Sequence, residues 1–244
     1  MNTKILGGVC LVIGVTLGWA SAPSAYDETQ VGNGGSIRGI VRVAGKLPEL
    51  PPLQISKYRE ICKDVPNENL ILGPNQGLRN AIVTIEGITR GKAIEKEAQH
   101  ELDNVGCRFV PRVQVASVGQ FVVLKNSDPV LHTAHAYFPG AQPDFNVGLY
   151  PGRVMRKPLV SPGLVQILCE VHPWMNAYIM VSEHPYHAVT DIYGEFLIGE
   201  IPAGEYQLRV WHESLGVMEK KISVKAGESG NIDFVYAPTP GVKK

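Results

Sequence analysis

Residues 169–175 read Cys-Glu-Val-His-Pro-Trp-Met. A thiol, an imidazole and a thioether thus lie within one short segment. The stretch before it, Leu164 to Cys169, is strand-like, and Asn176 to Val181 after it is strand-like again. A tight loop between two strands can aim three side chains at one point. Cys169, His172 and Met175 are the three it would aim.

Thiolate and thioether are soft donors, and imidazole suits copper and zinc. Two histidines and a cysteine in a plane, with a weak axial methionine, is the donor set of a blue-copper site. The loop lacks only a second histidine. His132 supplies it: it follows the strand Gln120 to Lys125 and the turn Asn126-Ser-Asp-Pro129. Two strands of one sandwich can bring such distant residues together. The expected metal ligands are therefore His132, Cys169, His172 and Met175, holding one copper ion. Taken singly, Cys169 also reads as a buried structural thiol and Met175 as core packing. His135 competes with His132, and Trp174 reads equally as a docking surface or a buried ring.

Residues 169–175 resemble the ligand loop of the amicyanins, cupredoxins with a short Cys-x2-His-x2-Met spacing. Gly119-Gln-Phe-Val-Val-Leu-Lys-Asn126 resembles the Gly-x-x-Val-x-Phe-x-Asn strand of the same family, and His132 follows Asn126 at the family's spacing. The resemblance spans roughly residues 96–183. It implies a Greek-key β-sandwich with a type 1 copper site. Cys169 would be the strong ligand, His132 and His172 would complete the plane, and Met175 would be axial. His172 would lie nearest the surface as the electron port. The family usually has Asn after the first histidine; Thr133 stands there, and its hydroxyl offers the same hydrogen bond.

The rest of the chain is also β-like. Gly (26) and Pro (18) punctuate short Val/Ile/Thr/Tyr-rich runs in 244 residues, which signals many short strands joined by turns. No segment has a convincing helical period. Expected strands include 36–44, 78–88, 100–104, 107–115, 130–138, 154–159, 206–212 and 218–224, with 139–152 as loop, 54–78 as an irregular excursion and 237–244 as a frayed tail. Apolar residues make up 44%, enough for a packed core. Net charge is zero, so no basic face points to nucleic acid.

Val189-Thr-Asp-Ile-Tyr-Gly-Glu-Phe196 and Ile201-Pro-Ala-Gly-Glu-Tyr-Gln-Leu-Arg-Val210 resemble carboxypeptidase regulatory-like (transthyretin-like) domains. Such domains begin with a Gly-x-Val strand and a later Ala-x-Val strand, for which Gly39-Ile-Val41 and Ala81-Ile-Val83 would serve. The fold class expected is all-β: a cupredoxin Greek-key sandwich plus a small transthyretin-like sandwich. Residues 1–25 are expected as a signal peptide, 26–95 as an N-terminal β segment, 96–183 as the cupredoxin and 184–244 as the regulatory-like domain and tail. Segments 36–92 and 184–238 are expected to join as one sandwich, with the cupredoxin inserted between them.

Met1 to Ala25 has one lysine, an apolar run too short for a membrane span and small residues near its end, the pattern of a secretory signal. An uncleaved anchor is the alternative. No other segment could span a membrane. Export to the periplasm or beyond favours cysteine pairing. Cys62 with Cys107 is the expected disulfide, two separate thiols the alternative; Cys169 would stay free as a ligand. His184, His187 and His212 read as packing histidines, with a further metal site as the alternative. No hydrolase or kinase motif appears, so no enzyme is expected. The reading is an exported electron carrier for a redox partner such as a c-type cytochrome or a periplasmic oxidoreductase. Copper trafficking and a metal-free structural module are its rivals.

Overall fold

The computed structural model describes residues 26–45, 47, 50–138 and 145–237. The signal peptide expected at 1–25 and nearly all of the tail expected at 237–244 lie outside the described residues. Among those described, the chain is all-β apart from one short 3-10 turn, Pro74–Gln76, and no helix is long and apolar enough to cross a membrane.

Apart from a short parallel pair, Asp27–Glu28 with Arg90–Gly91, strand pairing sorts the described residues into two sheet pairs. In the first, Gly35–Val43 is central. Glu195–Ile201 pairs antiparallel on one edge, and Ser229–Asn231 and Phe234–Tyr236 pair parallel on the other. The facing sheet runs His187–Val189, Ile82–Glu86, Gly204–His212, Gly216–Val224. Between them lies one core containing Ile37, Val41, Leu78, Val83, Ile85, Leu208, Val210 and Phe234. The early and late segments therefore share sheets and a core, as the isolated strand signals near residues 40 and 83 require. A Cβ on Gly39 would run into the Ile232 carbonyl, so only glycine permits this close crossing.

The motif threonine Thr190 has a local job. Its buried hydroxyl accepts from Ala81 N at 2.9 Å and donates to Leu78 O at 2.6 Å, satisfying backbone groups where the strands part. Gly194 (φ +77°) closes the following turn with its N–H on Asp191 O.

The second sheet pair lies wholly within residues 99–182. A five-stranded sheet runs Phe145–Leu149, His132–Tyr137, Gly163–Leu168, Asn176–Ser182, Val113–Ser117; a four-stranded sheet runs Val154–Pro158, Phe121–Asn126, Gln99–Asn104, Phe109–Val110. Inward residues alternate along each strand: Val122 and Leu124, Ala134 and Ala136, Val165 and Ile167, Ala177 and Ile179. Two expectations need correction. Phe145–Leu149, expected as loop, pairs with the strand that begins at His132; Gly and Asn masked its strand character. The strand expected over 107–115 is broken at Pro111, which has no N–H to give a ladder.

The excursion between the first two long strands leaves its own sheets. Ile55, Cys62 and Val65 pack into the core of the second pair. Cys62 is disulfide-bonded to Cys107. Nearby, Arg112 makes a two-pronged ion pair with Glu213, both bonds 2.8 Å and both side chains 8% exposed, and also reaches Asn69 Oδ1 at 2.6 Å. The two sandwiches are thus tied by a covalent bond and a buried charge pair.

Candidate metal centre

His132 opens a strand of the five-stranded sheet, and the turn before it fixes its position. Buried Asn126 donates its side-chain amide to Val130 O (2.8 Å) and Leu149 O (2.7 Å), and accepts from Asp128 N (3.0 Å). Asp128 then accepts from Gly106 N (2.7 Å), Cys107 N (2.8 Å) and His132 Nε2 (3.0 Å). With its Nε2 proton on Asp128, His132 presents a bare Nδ1 to the interior.

Cys169 ends the next strand. Its loop closes on itself through Cys169 N to Met175 O (3.2 Å) and Met175 N to His172 O (2.9 Å). The Cys169 sulfur lies 3.6 Å from His172 Nδ1 and 3.9 Å from His132 Nδ1. These three residues form a fully buried cluster whose ligand atoms lie within 4.8 Å of one another. Met175, 2% exposed, packs in the same core. Thr133 N points at the sulfur from 3.4 Å, and Thr133 Oγ1 accepts from Glu170 N at 2.8 Å. The threonine ties the loop down in the place where the resemblance implies asparagine.

Burial drives the electrostatics. Desolvation pushes His172 down to about 4, helped by the neighbouring His132. It also lowers His132, though Asp128 opposes the shift. Both rings are neutral at pH 7, with lone pairs free to bind a metal. A soft sulfur and two imidazole nitrogens face one another, a donor set that could chelate a metal ion.

His172, expected as the ligand nearest the surface, offers no ring edge to solvent. The ring is 0% exposed. Tyr58, from the excursion, lies over it at 5.4 Å between ring centroids, and Trp174 flanks it at 5.1 Å. Tyr58 itself is 47% exposed. The excursion carries no strand or helix period from which this cover could be read. Asp128 was legible in principle, as an acid four residues before His132 in a turn.

His135 is no part of the cluster. Three residues along a strand reverses the face, so His135 points away from His132 and pairs with Glu170 and Tyr137. His184, His187 and His212 join no metal-ligating group among the described residues. His184 Nδ1 accepts from Tyr186 N (3.3 Å) and His212 Nδ1 from Ser214 N (3.2 Å); His187 Nε2 lies 3.4 Å from Ser117 Oγ of the second sandwich. Burial depresses all three to about 4, against about 6.5 in an unfolded chain. As pH falls through this window the unfolded chain takes up protons first. Stability is therefore complete above pH ~6.5 and lost progressively toward pH ~4. Urea midpoints at pH 7, 5.5 and 4.5 should fall in that order, with a shallower fall in His212→Gln; equal slopes would remove His212 from the account.

Asp128→Asn should weaken copper binding about 10- to 100-fold, the usual cost of losing a partner that orients a ligand. Chelator competition measures this, and an affinity within twofold of wild type would deny Asp128 the orienting role.

No family model matches the chain, and no curated protein matches it. Among solved structures, a copper-containing nitrite reductase from Thermus scotoductus SA-01 is 27% identical over 38% of this chain and 24% of its own, with TM-score 0.34. A purple cupredoxin from Nitrosopumilus maritimus is 24% identical over 35% of this chain and all of its own, TM-score 0.30. A reduced amicyanin mutant is 18% identical over 41% and 98%, TM-score 0.31. The chain thus spans about a quarter of the length of the nitrite reductase.

Proposed function

We propose that this protein is an exported copper protein whose residues 96–183 form a cupredoxin with one type 1 site. One observation carries the reading: His132 Nδ1 and His172 Nδ1 both face the Cys169 sulfur, at 3.9 and 3.6 Å, in a sealed pocket. Copper bound there would supply a one-electron couple. The protein's part is to hold the ligands fixed: Asp128 sets the His132 tautomer, Thr133 anchors the Cys169 loop, and the neutral imidazoles need no proton loss to bind. A buried, pre-formed donor set suits electron transfer between redox proteins, a c-type cytochrome or a periplasmic oxidoreductase, and offers no open position for substrate; we assign no enzymatic reaction. The flanking sandwich, in the regulatory-like reading of its Thr190 and Gly194 motif, presents the module to its partner.

A second reading, copper trafficking, draws support from the burial of His172 under Tyr58, because no imidazole edge is offered at the surface. Line broadening of mixed Cu(I)/Cu(II) samples in NMR discriminates the two. Self-exchange fast enough to broaden the Cys169-loop signals supports the carrier. A copper that leaves for a Cu(I) chelator within the mixing time, with no measurable self-exchange, supports trafficking and sinks the carrier.

A further inference from the structure

A second group of soft donors lies against the first. The sulfurs of Cys62 and Cys107 and a ring nitrogen of His172 lie within 4.8 Å of one another, and all three residues are buried. His172 turns Nδ1 toward Cys169, while its Nε2 is buried and unpartnered. As a disulfide the two sulfurs are poor ligands; as thiolates they are the donors that select Cu(I).

We propose that reduction of the Cys62–Cys107 disulfide creates a second, Cu(I)-binding site from Cys62, Cys107 and His172, beside the Cys169 site and sharing its histidine. The reductant is a dithiol. It gives two electrons and two protons, the S–S bond breaks, two thiols form, and the dithiol leaves as a disulfide. Cu(I) then replaces the two thiol protons, which pass to solvent. Cys62 sits on the irregular excursion, outside any strand, where its N–H donates only locally, to Tyr58 O at 2.7 Å, and no sheet ladder restrains a shift of its sulfur. In the oxidised state the same bond holds that excursion down over His172. The site is therefore absent when the cover is locked and present when it is released, which suits loading of the buried centre through their common imidazole. The inference stands apart from the electron-carrier reading, because it needs neither Cu(II) nor a blue site.

The test uses the full mature chain with Cys169→Ala, which disables the first site. Cu(I) is titrated anaerobically against a chromophoric Cu(I) chelator, before and after phosphine reduction and removal of the phosphine. The expected result is one Cu(I) per chain in the reduced form and none in the disulfide form at the same chelator concentration. Adding Cys62→Ser and Cys107→Ser should abolish that uptake, with circular dichroism checking the fold. In the wild-type protein, Cu(I) should shield Cys62 and Cys107 from iodoacetamide after reduction, read by peptide mass spectrometry. Equal uptake by the oxidised and reduced forms, or no new thiols in the folded protein under phosphine, would overturn the proposal. Loss of colour in wild-type protein with Cu(II) would count against the first site alone.

Discussion

Mature protein mixed with Cu(II) should show an intense visible band, and Cys169→Ala should lose it entirely. The band requires a thiolate bound to the metal, and the described cysteines leave one candidate. Cys62 and Cys107 are consumed by their disulfide, and Cys169 is the free thiol. Its sulfur is the atom that both imidazoles face, so its loss removes the thiolate and leaves two nitrogens and the Met175 thioether. Unfolded under non-reducing conditions, the wild-type mature chain should titrate one thiol and the variant none. The substitution removes one buried sulfur and opens a small void, a cost on the order of 1 kcal/mol. The variant should therefore stay folded, so a lost band reports the ligand rather than the fold. A variant that keeps the band would sink the site.

Removing the disulfide should have the largest effect on stability. The bond closes a loop across a sequence separation of 45 residues. Loop-closure entropy for that length predicts a loss of about 4 kcal/mol in Cys62→Ser with Cys107→Ser. The loss is sharpened by position: the two sulfurs are 0% exposed inside the second core, and the segment they pin carries Tyr58 over His172. Guanidinium unfolding should show it, and His172 should gain access to solvent, visible as faster carboethoxylation of its ring by diethyl pyrocarbonate. A loss under about 1 kcal/mol would mean that the Arg112–Asn69 hydrogen bond and the apolar contacts of Ile55 and Val65 hold the excursion without covalent help.

Much of this was legible in the sequence for physical reasons. The donor spacing of Cys169, His172 and Met175 is a local pattern set by one loop, and the period-2 rule sends His132 inward and His135 outward. Along Leu164 to Cys169 burial alternates because one face is core, with Val165, Ile167 and Cys169 inward. Cysteine arithmetic made Cys62–Cys107 the expected disulfide, with two separate thiols as the alternative, and the structure shows the bond. What escaped detection was non-local. Nothing in residues 54–78 advertises that Tyr58 will rest on His172, because an irregular segment has no period to read and its placement depends on the partner cysteine far along the chain. Asp128 escaped because its role arises from three donors that converge from the 106–107 turn and from His132. Ile82 and Thr84 alternate with the core residues Val83 and Ile85, yet both are buried as well. Alternation says which side a residue points to, not what another sandwich later places there.

The strand pairing also fixes an order of assembly. Every partner strand of the sandwich that carries His132 and Cys169 lies between residues 99 and 182, whereas Gly35–Val43, apart from a single bridge between Arg42 and Gly77, finds its strand partners at Glu195–Ile201 and beyond. A ribosome delivers the early strands first, but Gly35–Val43 and Ile82–Glu86 cannot complete their sheets until the last sixty residues arrive. The inserted sandwich holds its mates close in sequence, and such contacts form sooner because less chain must be closed. On a growing chain the guest is complete before its host. The host's unpaired early strands, with bare edges, are then the part of the nascent protein most in need of shelter from aggregation.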